Sequence, residues 1–394
     1  MKKSLKDINL KNKKVIIRCD FNVPIKDGKI LDDNRIIESL ETIKYVLSQN
    51  AKVILMSHLG RIKEEKDKLN NSLKPVAKRL SELLNQDVIF VGETRGSVLE
   101  ETIRNMNFKD IILVENTRYE DFPNKLESSN DLSLSSYWAS LADVFVNDAF
   151  GTLHRAHASN VGIAKLLPSC IGFLVEKEIK MLDILLNDIK RPYTVILGGA
   201  KMNDKISIID SLIKKCDYIL LGGGIANTFL TAKGYDLKDS VYDEESLKHC
   251  IELLNKYEDK IVLPVDGLAS SSYNDGLLVK YYRLDNVENG NMILDIGNDT
   301  IKLFEKYLKS SKTVFWNGPV GVSEFKNFET GTKSLCKILS KKDAKIIIGG
   351  GDTAAAAIKF GYKNKFTHIS TGGGASLEYI EGKKLPGLEF IGEK

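Results

Sequence analysis

Cysteine is sparse in this chain, and it is not arranged for bonding or for metal. Cys19, Cys170, Cys216, Cys250 and Cys336 are scattered, odd in number and never spaced C-x-x-C. That excludes a disulfide framework and a cysteine zinc site, and it fits a reducing, cytoplasmic setting. No run of about 18 apolar residues is present, so no transmembrane helix is expected. The first twenty residues carry lysines but no continuous apolar stretch, which speaks against a signal peptide. Charge of one sign is also lacking: 57 basic side chains face 53 acidic ones, for a net +4 over 394 residues. Neither nucleic acid nor a membrane is therefore expected as the main partner. Four nucleotide and hydrolase signatures are missing as well. There is no GxxxxGK[ST], no clean GxGxxG with an acidic residue about 20 positions on, and neither G-x-S-x-G nor H-E-x-x-H.

Arginine is the scarce basic residue, and its placement is uneven. Lysine outnumbers it 47 to 10, yet eight arginines (Arg18, Arg35, Arg61, Arg79, Arg95, Arg104, Arg118 and Arg155) fall in the first 170 residues. The guanidinium fork grips carboxylates and phosphates in a bidentate way that lysine does not. Short, continuous, β-branched runs recur along the whole chain: 15–18, 53–56, 88–91, 111–114, 144–146, 194–197, 218–221, 260–265, 313–316, 345–348 and 368–371. Continuous apolar runs suit strands covered on both faces, as in parallel sheets. Helical periodicity fills the gaps, for example at 35–47 and 73–84. The alternation predicts an α/β fold of parallel sheets with ligands at the C-terminal strand ends. A boundary is expected near 170–193, where helical spacing gives way at IKRPY.

The strand ends differ between the two halves. In the first half they are charged: Arg18, Asp20 and Asn22; His58 and Arg61; Glu115, Asn116 and Arg118; Asp148, His154, Arg155 and His157, with Arg35 opening a helix. Arginines converging from separate loops would hold a small, multiply charged anion. His154 and His157 could ligate a metal only if helical, and no cysteine completes such a site. In the second half the strand ends are glycine-rich, at 198–199, 222–224, 349–351 and 372–374. Four such loops point to nucleotide phosphates bound by backbone amides at helix N-termini. Lys201 and Lys205 share a face if helical, and Asp352 follows a triple glycine where a carboxylate could hold Mg2+. Glu176, Glu178 and the run at 64–68 read as solvated charge, and Trp138 and Trp316 as packing residues. The segments 62–72 and 120–135 carry no assigned role.

Eight segments in order, RCDFNVP (18–24), SHLGR (57–61), NDAFGTLHRAH (147–157), LGGAKMNDK (197–205), LLGGGIANTF (220–229), VFWNGPVGVSE (314–324), IIGGGDT (347–353) and STGGGAS (370–376), resemble the phosphoglycerate kinase family across essentially the whole chain. The resemblance implies two Rossmann-like lobes joined by an interdomain helix and hinge. Residues 1–173 would bind 3-phosphoglycerate, 174–190 would form the joining helix, 191–376 would bind Mg-ATP or Mg-ADP, and 377–394 would pack back on the first lobe. It implies reversible phosphoryl transfer between 1,3-bisphosphoglycerate and ADP, in a cytoplasmic monomer whose lobes close during turnover. Carried over by position, the acid substrate would meet Asp20, Phe21, Asn22, Arg35, His58, Leu59, Gly60, Arg61, Arg118 and Arg155. The nucleotide would meet Lys201, Gly223, Gly224, Asn317, Pro319, Glu324, Gly350, Gly351, Asp352 and Thr353. Asp352 would hold the metal, and Arg35, Lys201 and Lys205 would surround the transferring group. Cys19, Ile62, Met202, Asn203, Gly267, Leu268 and the stretch 297–300 depart from the family's usual residues without removing any of these charges.

From the residues alone, two other classes stay open. A non-catalytic nucleotide- or phosphometabolite-binding protein would be marked by loss of Arg35, Lys201, Lys205 or Asp352, and all four are present. A nicotinamide dehydrogenase would need the dinucleotide fingerprint that is missing.

Overall fold

A computed structural model describes residues 2–203, 205–274 and 278–394. The chain divides into two compact units, Met1–Lys180 with Lys383–Lys394, and Met181–Gly382.

The first unit is built on a six-stranded parallel sheet. Its strand order is Val88–Val91, Ile111–Val114, Lys52–Met56, Lys14–Arg18, Val144–Asn147 and Ser169–Ile171. Side chains alternate between the faces, and both faces are covered. Val15, Ile17, Val53 and Leu55 enter one buried cluster with Ile36, Ile43 and Leu80. Ile16, Ile54 and Met56 enter the other with Trp138, Leu99 and Ile163. This is why these strands read as unbroken apolar runs. Helix Asn34–Ser48 turns Ile36, Ser39, Thr42, Ile43 and Val46 inward at helical spacing. Helix Lys74–Leu84 carries Pro75 in its first turn, where the missing N–H costs nothing, and stops at Asn85 in the left-handed conformation.

The second unit repeats the plan. Its parallel order is Ile261–Val262, Tyr218–Leu221, Tyr193–Leu197, Thr313–Asn317, Lys345–Gly349 and His368–Ile369. Ile196, Leu220, Val314, Trp316, Ile346 and Ile348 pack against Phe304, Leu308, Leu335 and Leu339. In each sheet the first strand in sequence lies between neighbours reached in opposite winding directions. Those strands are Lys14–Arg18 and Tyr193–Leu197. The crevice beyond their C-terminal ends is where a doubly wound sheet binds ligands.

Several details differ from the sequence reading. The runs 260–265 and 368–371 supply only the two-residue strands Ile261–Val262 and His368–Ile369. A separate antiparallel sheet, ordered Lys280–Arg283, Asp266–Ser270 and Met292–Ile296, was not anticipated. The units divide at 180/181 and 382/383 rather than near 173 and 376. Helix Phe173–Asp183 ends seven residues before 190, with turns following it. Glu178, read as solvated, is fully buried on the inner side of that helix. The last residues belong to the first unit. Lys3 N donates to Gly392 O at 2.8 Å, Gly387 N to Leu153 O at 2.8 Å, and Lys394 pairs with Asp7 at 2.9 Å. No helix among the described residues is long and apolar enough to cross a membrane.

Candidate active site

In the first unit the loops after four adjacent strands bring their charges together. Arg18, the last residue of its strand, has no exposed surface. Its guanidinium donates from Nε to Ser159 Oγ at 2.8 Å, to the carbonyl of Cys19, and from Nη2 to His58 Nδ1 at 3.3 Å. Arg35, from the first turn of its helix, pairs with Asp20, which is 6 % exposed. Arg118 donates to the carbonyl of Gly60 and is 8 % exposed. Arg155 donates to His154 Nε2 at 3.1 Å. Burial, then Arg18, Arg118, Arg35 and Arg155 in that order, push the His58 pKa well below its usual value. Burial, Arg18, Arg118 and Arg155 likewise lower His157 to about 3. Arg118 is itself lowered, by burial and then by Arg155 and Arg18. Mutual repulsion of this kind is what a pocket for a multiply charged anion shows before the anion is bound.

The backbone of this site is held by amide side chains. Asn22 Oδ1 accepts from Gly60 N at 2.9 Å. Asn116 Oδ1 accepts from Leu59 N at 3.1 Å, while its Nδ2 donates to Leu59 O at 2.7 Å and to Asn71 O at 2.8 Å. Gly60 has φ +60°, and a Cβ there would fall 2.0 Å from Asn71 Oδ1. Phe21 and Leu59 send their side chains into the apolar core, so only their backbones can face a ligand. Phe21 N is itself taken by Ser57 Oγ at 2.8 Å. Arg61 is exposed and, among the described residues, makes no ion pair.

In the second unit the loops after Tyr193–Leu197 and Thr313–Asn317 run in backbone contact. Gly199 N donates to Pro319 O at 2.9 Å. A Cβ on Gly198 would lie 2.0 Å from Pro319 O, and one on Gly318 would lie 2.0 Å from Gly198 O. Only glycine permits this approach. Gly223 and Gly224 open helix Gly223–Ala232, and Gly351 opens helix Gly351–Lys359 behind Gly350. Gly223 N donates to Val320 O at 3.1 Å and Ile225 N to Gly199 O at 3.3 Å, which leaves Gly224 N as the amide at that terminus able to meet a phosphate, while the first-turn amides of Gly351–Lys359 face no carbonyl among the described residues. Thr353 is buried and accepts from Gly318 N at 2.6 Å. Asp352 stands exposed in the first turn of its helix. Asn317 is fully buried; Lys205 Nζ donates to its Oδ1, while its Nδ2 has no partner among the described residues. Glu324 is exposed and accepts from Tyr273 Oη at 3.0 Å. Lys201 is exposed. The shared helical face expected for Lys201 and Lys205 does not form, because the helix begins only at Ile206 and both lysines lie before it. His154 and His157 are not helical either: a short 3-10 turn ends at Thr152 and a π-helical turn begins at Ala158.

A family model described as phosphoglycerate kinase matches residues 5–383. Full-length relatives named phosphoglycerate kinase include those of Fusobacterium nucleatum, 54 % identical over 398 residues, and Enterococcus faecalis, 54 % over 395, each with 100 % of both chains covered. The structure of phosphoglycerate kinase from Coxiella burnetii superposes with a TM-score of 0.88 at 37 % identity, covering 99 % of both chains. That from Pyrococcus horikoshii gives 0.86 at 33 %, covering 98 % of both. The chain belongs to the phosphoglycerate kinase family. It is a phosphotransferase that moves a phosphoryl group reversibly between 1,3-bisphosphoglycerate and ADP, giving 3-phosphoglycerate and ATP.

Two segments without an assigned role prove to brace the loops of the first unit. Asn71 buttresses Gly60 and donates to Asp67 O at 2.7 Å. Glu127, with no exposed surface, accepts from Ser159 N at 2.9 Å and lies 3.8 Å from His157 Nδ1. Neither sits in a glycine loop or at a strand end, so no spacing rule marks them. Glu127 is also one of four acids in the segment 120–135, with Glu120, Asp121 and Asp131, so composition does not single it out either.

Proposed function

We propose that the first unit holds 3-phosphoglycerate through Asp20, Asn22, Arg35, His58, Arg61, Arg118 and Arg155, with the backbones of Phe21, Leu59 and Gly60 shaping the pocket. The second unit holds the nucleotide through Lys201, the close backbone of Gly223 with the amide of Gly224, Asn317, Pro319 and the segment Gly350–Thr353, with Glu324 accepting from ribose hydroxyls. The observation that carries this reading is the convergence of Arg18, Arg35, Arg118 and Arg155 from separate loops around His58, whose pKa is lowered by burial first and then by those four charges. A site with that potential selects a small substrate bearing both carboxylate and phosphate.

The acceptor carboxylate is already ionised at neutral pH, so the reaction needs no general base. One carboxylate oxygen forms a bond to the γ-phosphorus as the bond from that phosphorus to the β,γ-bridging oxygen breaks. The electron pair leaves with ADP. Arg35, Lys201 and Lys205 supply positive charge for the oxygens of the transferring group, which is where catalysis of such a step chiefly lies. His58 and His157, held neutral, donate hydrogen bonds without adding charge that would overbind the product.

Mg2+ fits this site as a companion of the nucleotide. It is commonly held by one or two carboxylates together with substrate phosphates rather than by a protein cage. Asp352 is one exposed carboxylate beside a phosphate-binding helix N-terminus, and the described residues contain no cluster of three or more metal-ligating side chains. When bound, the metal supplies charge neutralisation on the phosphates. A cytoplasmic, monomeric enzyme completes the proposal.

The test is a coupled assay with Mg-ATP and 3-phosphoglycerate, read as NADH loss through glyceraldehyde-phosphate dehydrogenase. Arg35→Ala and Lys201→Ala should each abolish most turnover while the protein stays folded. Turnover unchanged in both would overturn the assignment.

A further inference from the structure

We infer that Glu127 is a positioning residue for the acid-substrate pocket, acting through Ser159 on Arg18 and His58. The inference rests on the proposal that 3-phosphoglycerate binds at His58.

Four side chains form a directed chain. Glu127 comes from the segment 120–135 and Ser159 from the π-helical turn Ala158–Gly162. Arg18 ends a central strand and His58 follows the neighbouring one. Glu127, Ser159 and Arg18 have no exposed surface, and His58 is 5 % exposed. A guanidinium can only donate, so Ser159 Oγ must accept from Arg18 Nε, at 2.8 Å. The single hydroxyl proton of Ser159 is then directed at the Glu127 carboxylate, which it also contacts. The second carboxylate oxygen takes Ser159 N at 2.9 Å, which locks the turn. At the other end, Arg18 Nη2 donates to His58 Nδ1 at 3.3 Å. His58 Nδ1 is therefore the bare nitrogen and Nε2 carries the proton. The ring is left as a neutral hydrogen-bond donor for an anionic ligand.

Charge supports the same assignment. A guanidinium wholly inside protein needs a counter-charge. Among the groups acting on Arg18, Glu127 offsets its burial most, ahead of Asp20. Asp20 is also engaged by Arg35. Glu127 therefore lets Arg18 stay buried, and Arg18 fixes the tautomer and aim of His58. Glu127 itself touches no substrate.

The test compares Ser159→Ala, Glu127→Gln and His58→Gln with the parent in the coupled assay, with thermal midpoints and histidine nitrogen NMR. The chain has only five histidines, so His58 can be assigned by its loss in His58→Gln. Ser159→Ala keeps the carboxylate and the backbone bond but breaks the relay. It should raise KM for 3-phosphoglycerate about tenfold, with KM for ATP unchanged and with His58 no longer held as the Nε2–H tautomer. Glu127→Gln should shift the same KM further in the same direction. If that variant does not fold, Ser159→Ala alone decides. Ser159→Ala with an unchanged 3-phosphoglycerate KM and an unchanged His58 tautomer would overturn the inference, as would equal increases in both KM values. If His58→Gln leaves the 3-phosphoglycerate KM intact, the substrate placement itself has failed; if His58→Gln raises it and the other two do not, only the role of Glu127 has failed.

Discussion

Asp148→Asn should flatten the dependence of stability on pH in the first unit. Asp148 is fully buried, and its Oδ1 accepts from Leu174 N at 2.9 Å and Val175 N at 3.3 Å, in the first turn of helix Phe173–Asp183. Burial raises its pKa from 3.8 to about 7, against the lowering effects of Thr42 and the two amides. In the unfolded chain the group ionises near its ordinary value. Between about pH 4 and pH 7 the folded state therefore keeps a proton that the unfolded state has lost. The stabilising contribution is complete below the unfolded pKa and drains away as pH rises through the folded one. At about 1.4 kcal/mol per unit, a shift of about three units makes the loss on the order of 4 kcal/mol by pH 7. An asparagine keeps the carbonyl acceptor for both amides and has nothing to ionise. The variant should match the parent near pH 4 and gain on it steadily to pH 7, with no further gain above that.

The assay is urea unfolding across pH 4.5–8.5 in a Trp316→Phe background. Trp138 is then the sole tryptophan, and it is buried in the first unit, so its emission reports that unit alone. Parallel pH curves for parent and variant would refute the reasoning. They would show that the helix amides hold Asp148 ionised despite its burial.

Gly60→Ala forces a Cβ to within 2.0 Å of Asn71 Oδ1 at φ +60° and should cost about 1–3 kcal/mol, with KM for 3-phosphoglycerate rising more than KM for ATP; steady-state kinetics and thermal melts check it. Gly318→Ala meets the carbonyl of Gly198 at 2.0 Å, and because both partners are backbone the loops must separate; nucleotide affinity by calorimetry should fall at least tenfold while 3-phosphoglycerate affinity holds. Asp352→Asn should raise the Mg2+ concentration for half-maximal rate without changing the 3-phosphoglycerate KM. The His58 ring should stay neutral in NMR titrations at pH values where an ordinary histidine is protonated, since burial and four arginines oppose its protonation.

The strands were legible because both faces of each sheet are covered, which leaves no polar alternation to confuse the pattern. Val15–Ile16–Ile17 is apolar throughout since successive residues serve different layers. The charged and glycine-rich strand ends were legible for a related reason: parallel topology gathers the loops beyond the strands at one edge. The antiparallel strands were hidden because Lys280–Arg283 is polar and largely solvent-facing, with Tyr281 50 % exposed. The Lys201–Lys205 spacing misled because spacing has helical meaning only inside a helix, and this one starts at Ile206. Glu127 and Asn71 escaped because their work is done across loops, through single hydrogen bonds that leave no period in the sequence.

The segment Lys383–Lys394 has a consequence for how the chain is made. Lys2 pairs with Glu393 at 2.8 Å, and this segment completes the unit that the first residues began. The second unit is one uninterrupted stretch, whereas the first waits for residues synthesised after it. On the ribosome the second unit has all its residues before the first does. A chain released at residue 382 would hold every residue of its second unit and lack the last twelve of its first.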